Sequence, residues 1–179
     1  MEEKPASYFR KLSDMLGKTE VAEREGLSLS VEEGINRSVA MILGDDRPAD
    51  KHRIMVIGNG GSAVIASHVQ NDLCKAVGVR AIVFNEAPLL TALSNDHSYE
   101  EAFERMIELW AEKGDLLIAI SSSGRSDNIL RAVRHSMKKA VSRLHFPVLT
   151  RTIPFGGSVT SIFMCRPART ASSKFPTWR

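Results

Sequence analysis

Cysteine is scarce in this chain: among 179 residues only Cys74 and Cys165 are cysteines, and neither belongs to a CxxC or a Cys/His cluster. That excludes a disulfide framework and a structural zinc module, and leaves free thiols as the expectation. No apolar run approaches the roughly 20 residues that a membrane span requires. The N-terminus, MEEKPASYFRKL, lacks the apolar core of a secretion signal. Together these absences predict a cytoplasmic protein with no membrane partner. A further absence is local. Residues 1–127 hold all 21 acidic residues against 14 Lys+Arg, while residues 128–179 hold 10 Lys+Arg and no Asp or Glu. The formal charge of +3 therefore averages two unlike parts. The basic part has neither a repeat nor a basic helix, so a nucleic-acid partner is not expected.

What is present is globular: 43% hydrophobic and 25% charged residues suffice for one domain with a core. The centre of the chain is Arg53 to Leu73, RIMVIGNGGSAVIASHVQNDL. Its first five residues form an apolar, β-branched run, as in a strand buried on both faces. Gly58-Asn59-Gly60-Gly61-Ser62 breaks the chain into a turn, and a helical period begins at Ala63. A loop of this kind exposes backbone N–H groups at a helix N-terminus, where the dipole favours an anion. The design recurs. Leu116 to Ile120 is a second strong strand, followed by Ser121-Ser122-Ser123-Gly124-Arg125-Ser126 and a helix from Asp127 towards Lys139. Between them, Val79–Phe84 reads as a strand, Leu89–Ser94 as a short helix or turn, and Tyr99–Glu112 as a helix. Residues 7–43 read as two helices, the second capped by Ser28 or Ser30, since Ser30-Val31-Glu32-Glu33 has capping-box spacing. Its apolar positions Val31, Ile35, Val39 and Ile42 fall on one stripe, suited to packing on the domain or on a partner subunit.

Strands alternating with helices predict an α/β fold, a doubly wound parallel sheet. Ligands of such sheets sit beyond the C-terminal strand ends, where both polar loops fall. GNGGS is neither the GxGxxG dinucleotide pattern nor a GxxxxGK[ST] loop. Alone it is often only a tight connection. A run of hydroxyls after a second buried strand of the same sheet is better explained by a phosphate ligand than by capping.

GNGGS, then His68 to Asp72, then Ser94-Asn95-Asp96, then ISSSGRS with Asn128 resembles the sugar isomerase (SIS) domain family, and within it the phosphoheptose isomerases. Those enzymes convert sedoheptulose 7-phosphate to a heptose 7-phosphate, in lipopolysaccharide or capsule heptose biosynthesis. The resemblance covers about residues 50–139 and implies a three-layer, flavodoxin-like SIS core. It implies that Ser121, Ser122, Ser123 and Ser126 hold the phosphate, that Asn59, Gly60, Gly61, Ser62, Asn95 and Asp96 serve the sugar, and that Asn128 also binds substrate. It further implies that His68 and Asp72 act as acid and base, or hold zinc where zinc is used, with no other cofactor required. Four residues apart on a helix, the two side chains share one face; an ordinary i,i+4 surface pair has the same spacing. In the phosphoheptose isomerases the second position is Glu, one methylene longer than Asp72. His97 adjoins the Asn95-Asp96 pair, whereas His52, His135 and His145 have no motif around them. A homotetramer with shared sites is implied as well. The alternative is a non-catalytic sugar-phosphate-binding SIS module.

These features divide the chain into an N-terminal helical hairpin (1–44), a sugar-phosphate-binding core (45–139) and an aberrant basic tail (140–179), expected to be disordered. The resemblance stops at about Ala140, where two strands and a final helix should follow. Read with each codon shifted, Thr152 to Arg179 can encode a segment similar to the family's missing end. Tyr arises across Phe163-Met164, Val across Met164-Cys165 and a histidine across Pro176-Thr177. A frameshift explains this tail better than divergence does. The last strands and final helix, with the histidine acid/base of that helix, are then expected to be missing.

Overall fold

The computed structural model describes residues 7, 9, 10, 13, 14, 17, 19–22, 28–44, 52–139, 141–149 and 159–165. Its elements are β1 (Glu20–Ala22), β2 (Ser28–Leu29), α1 (Val31–Leu43), β3 (Arg53–Gly58), α2 (Gly61–Asp72), β4 (Arg80–Val83), α3 (Ala87–Asp96), α4 (Ala102–Trp110), β5 (Leu116–Ser121), α5 (Asp127–Lys138), β6 (Ser142–Leu149) and β7 (Val159–Cys165). α2 runs on into one π-helical turn, Leu73–Val77. The capping box at Ser30 is formed: Ser30 Oγ accepts from Glu33 N at 3.1 Å, and Glu33 Oε2 accepts from Ser30 N at 2.9 Å.

Seven strands make one sheet in the order β2-β1-β7-β6-β5-β3-β4. β4, β3, β5 and β6 are parallel, as the alternating pattern predicts. The other end is mixed: β7 is antiparallel to β6, and β2 is antiparallel to β1. Side chains of β3 and β5 alternate between two cores, as the period of a strand requires. Met55, Ile57, Leu117 and Ala119 pack with Phe103, Ile107, Ile129 and Ala132 of α4 and α5. Ile54, Val56, Leu116 and Ile118 pack with Met41 of α1 and with Ala66 and Leu73 of α2 and its extension. These are the three layers of a doubly wound sheet.

Asp115 aligns the two central strands from below. Its buried carboxylate accepts from Arg53 N at 2.8 Å and Glu112 N at 2.9 Å, and Arg53 Nη2 lies 3.4 Å from its second oxygen. The register that follows runs Ile54 opposite Leu116 up to Gly58 opposite Ile120. The two polar loops therefore leave the sheet side by side.

Two expectations are corrected. The N-terminal region is not two helices alone, because β1 and β2 pair between them and join the sheet. Ser7, Phe9, Arg10, Ser13 and Asp14 are helical, and the rest of that first helix lies outside the described residues. The sheet also does not end with β5: Ser142–Leu149 pairs along its whole edge, and Val159–Cys165 follows. Leu144, Phe146 and Val148 alternate at a period of two, a strand signal that Pro147 and the missing acids obscured. Pro147 falls opposite Ser121, at the far end of the β5 ladder, where a missing N–H disturbs little. The expected final helix, and most of the shifted-codon segment, lie outside the described residues.

Candidate functional site

The chain passes from β3 through α2 to β4 on one side of β3, then returns through α3 and α4 to β5 on the other. The direction of winding reverses between β3 and β5, and the C-terminal end of that crevice is where open α/β sheets bind ligands. Both polar loops border it.

The glycine loop is a close backbone fold. A Cβ on Gly58 would lie 2.6 Å from the Ser62 carbonyl oxygen, so only glycine permits the turn. Gly60 has φ +53°, a left-handed value suited to glycine. Ser62 N donates to Asn59 O at 2.9 Å, and Ala63 N to Gly60 O at 3.0 Å, which starts α2. Among the described residues, nothing beyond the adjacent chain lies within 4 Å of where a Cβ would stand on Gly60 or Gly61. The loop thus offers open space in front of a helix N-terminus, where the dipole favours an anion.

The serine loop divides its hydroxyls between two tasks. Ser121 is buried, and its Oγ accepts from Gly124 N at 3.1 Å, folding the loop over the end of β5. Ser122 and Ser123 are exposed; Ser123 Oγ accepts from Arg125 N at 3.1 Å and keeps its own hydrogen. Ser126 is the N-cap of α5, yet its side chain makes no capping bond. Its hydroxyl, the exposed serines and the N-terminus of α5 together form a surface able to hold a phosphate dianion.

The loops are bonded to each other. Asn59 Nδ2 donates to Asn128 Oδ1 at 2.9 Å, and Asn128 Nδ2 donates back to Asn59 Oδ1 at 2.9 Å. Asn128 is 3% exposed and also accepts from Ile129 N at 2.9 Å. It faces the glycine loop and not open solvent. Tyr99, in the turn before α4, donates its hydroxyl to Asn59 Oδ1 at 2.9 Å. Sequence reasoning did not single out Tyr99. It also missed Asn85, whose Nδ2 donates to Ala63 O at 3.1 Å and Ser67 Oγ at 2.8 Å, tying the end of β4 to α2. A usable signal existed, since Asn85, like Asn59 and Ser122, is among the first polar residues past a buried parallel strand.

Other named residues stand apart. Asn95 Nδ2 donates to Asp96 Oδ1 at 3.0 Å at the end of α3, and among the described residues neither side chain bonds to the glycine or serine loop. His97 is exposed beside them. His68 Nε2 lies 3.5 Å from Asp72 Oδ2 on the outer face of α2, with side chains 77% and 58% exposed. Gly61 precedes them by two and three helical turns, roughly 10 and 16 Å along the axis. Among the described residues no third His, Cys, Asp or Glu joins this pair. Two donors do not complete a zinc site, which takes at least three protein ligands; the described residues do not fit zinc. His52 Nε2 is 3.0 Å from Ile42 O below the sheet, and His135 Nδ1 pairs with Glu104 at 3.3 Å between α4 and α5.

Known proteins are similar to this chain in sequence and in fold. A phosphoheptose isomerase of Helicobacter pylori is 35% identical over 130 residues, covering 68% of this chain and 67% of the relative. The structure of phosphoheptose isomerase GmhA from Neisseria gonorrhoeae aligns with a TM-score of 0.63 at 20% identity, covering 92% of this chain and 83% of that one. The Vibrio vulnificus NanR protein complexed with ManNAc-6P aligns with a TM-score of 0.53 at 18% identity, over 91% of this chain and 49% of that one. At those identities the two structures show a shared fold. The SIS domain model matches residues 8–142, well over half of the chain, and with the Helicobacter relative this establishes that the chain belongs to the SIS domain family.

Proposed function

We propose that the chain is an aldose–ketose isomerase of the phosphoheptose isomerase type, acting on a sugar phosphate such as sedoheptulose 7-phosphate. The observation that carries this is the joining of the glycine and serine loops through Asn59 and Asn128 at the reversal point of the sheet. Hydroxyls and helix N–H groups on one side suit a phosphate; amides and open glycine backbone on the other suit a polyhydroxy chain. Ser122, Ser123 and Ser126 hold the phosphate, and Gly60, Gly61, Ser62, Asn95 and Asp96 line the sugar side.

The reaction is redox-neutral. A base removes the proton from C1 beside the C2 carbonyl, the enediol forms, and the proton returns at C2 as the carbonyl moves to C1. Neither a nucleotide nor a redox cofactor enters the balance. Asp72 as base and His68 as acid suit the chemistry, and no step is routed through zinc. Both stand in water within one chain, beside the exposed apolar Val64. α1 likewise presents Val31, Ile35, Val39 and Leu43 outward. These uncovered faces support a homo-oligomer, a tetramer by resemblance, in which a second copy covers α1 and completes the surroundings of His68 and Asp72. Among the described residues no helix is long and apolar enough to cross a membrane. We place the protein in the cytoplasm.

The exposure of His68 and Asp72 favours one other reading, a sugar-phosphate-binding module without turnover. Incubation with sedoheptulose 7-phosphate in D2O, followed by NMR, separates the two. Deuterium at C1 or C2 is the expected result; tight binding without exchange overturns the isomerase and leaves the module. Asp72→Asn is expected to abolish exchange while leaving affinity within about twofold, and full exchange in that variant removes Asp72 from the mechanism.

A further inference from the structure

The polarity of the bonds joining the two loops is fixed from one end. Ile129 N–H is a donor without choice, so the Asn128 atom it meets at 2.9 Å is the carbonyl oxygen. Asn128 Nδ2 must then donate to Asn59 Oδ1, and Asn59 Nδ2 must donate to Asn128 Oδ1. Asn59 Oδ1 has one lone pair left, and the Tyr99 hydroxyl fills it by donating at 2.9 Å. Among the described residues three groups remain uncommitted: the second hydrogens on Asn59 Nδ2 and on the buried Asn128 Nδ2, and the lone pairs of the Tyr99 oxygen. Tyr99 is 46% exposed, so its oxygen is open to a ligand. The tyrosine oxygen can accept from one sugar hydroxyl, and the Asn59 amide hydrogen can donate to another.

Tyr99 also lies three residues past Asp96, in the turn where Glu101 N donates to Ser98 O at 3.1 Å. Its bond to Asn59 is therefore the one side-chain link, among the described residues, between the Asn95-Asp96 segment and the glycine loop. We propose that Tyr99 is a positioning residue that braces the Asn59 carboxamide in the orientation Asn128 gives it, holds the Asn95-Asp96 segment at the glycine loop, and offers its own oxygen to a substrate hydroxyl. The inference rests on the sugar-phosphate function proposed above and adds to it a determinant for the sugar as distinct from the phosphate.

Tyr99→Phe removes one hydroxyl from a half-exposed ring and leaves the Asn59–Asn128 bonds in place. Titration calorimetry with inorganic phosphate is expected to give the wild-type affinity, because the serine loop is untouched. Sedoheptulose 7-phosphate is expected to bind about 5- to 20-fold more weakly. In an Asn59→Ser background Tyr99→Phe is expected to cost less than in the wild-type chain, since only the direct contact of the Tyr99 oxygen with the substrate is then lost. Equal affinity of wild type and Tyr99→Phe for the sugar phosphate overturns the proposal, and so does an equal loss for inorganic phosphate. Amide hydrogen exchange read in parallel does not depend on the ligand. In Tyr99→Phe, segments 58–63 and 94–101 are expected to exchange faster together while 31–43 is unchanged; unaltered exchange in the first two overturns the clamp. A wild-type chain that binds phosphate but no sugar phosphate, with the exchange result as expected, counts against the proposed function and leaves the clamp standing.

Discussion

Ser121 and Ser123 are two residues apart in one loop, yet their replacement by alanine should give opposite phenotypes. Ser121 Oγ is buried and accepts from Gly124 N at 3.1 Å, so Ser121→Ala leaves a half-buried N–H without its acceptor. The cost to folding is about 1–2 kcal/mol, or about 2–6 °C in melting temperature for a chain of this size. Ser123 is exposed; its bond to Arg125 N is replaceable by water, and its own hydrogen is free for a phosphate oxygen. Ser123→Ala should therefore leave the melting temperature within about 1 °C. Loss of a hydrogen bond to a charged group costs about 1–3 kcal/mol, or about 5- to 150-fold in Kd for a sugar phosphate. Thermal melts of both variants with and without saturating sugar phosphate test the pair in one experiment. The ligand-induced shift should shrink in Ser123→Ala, and the baseline should fall in Ser121→Ala. A Ser123→Ala chain that keeps the full ligand shift, with a Ser121→Ala chain that melts normally, would refute the division of the loop into a brace and a phosphate contact.

Gly58→Ala places a Cβ 2.6 Å from the Ser62 backbone oxygen, and since backbone cannot swing aside as a side chain can, the loop must move. A loss of roughly 1–3 kcal/mol in urea unfolding, together with loss of sugar-phosphate binding, is expected; a wild-type unfolding curve counts against the close fold of this loop. At α1, the Ser30 backbone N–H, then its hydroxyl, hold the Glu33 carboxyl below its ordinary value of 4.5. A depressed folded pKa contributes stability above about 4.5 that is lost as pH falls through the folded value. Glu33→Gln should flatten the acid limb of the melting-temperature profile, and an unchanged limb excludes the capping box as its source. Ser30→Ala should cost about 1 kcal/mol at neutral pH.

The pairing of the two polar loops was legible because it depends on local chemistry. A buried strand, a break in period and a run of small polar residues occur together twice, and parallel pairing of β3 with β5 brings the two loops side by side. The capping box at Ser30 was legible for the same reason. The bond between Asn59 and Asn128 was not, because its partners are 69 residues apart and meet only through the strand register. Tyr99 read as the first residue of an amphipathic helix, and nothing local distinguishes a tyrosine that turns back to a loop from one that faces water. β6 was missed because its proline and its lack of acids outweighed a short alternation, a composition argument overriding a periodicity argument that was correct.

His68 and Asp72 mark the limit of spacing as a guide. A separation of four residues puts two side chains on one face but does not say which face that is. The burial of Ala66 supplies the missing phase: at about 100° per residue, His68 lies about 200° and Asp72 about 240° around the helix from it, both turned away from the sheet. Val64, at about 160° from Ala66 in the same sense, shares that outer side and is 71% exposed. A face that combines an apolar side chain with a paired imidazole and carboxylate is a poor water-facing surface and a good buried one. On the proposed function the two halves of the site therefore differ in kind. The phosphate and sugar walls are built by strand register within one chain, whereas proton transfer at His68 and Asp72 depends on what a second copy lays against α2.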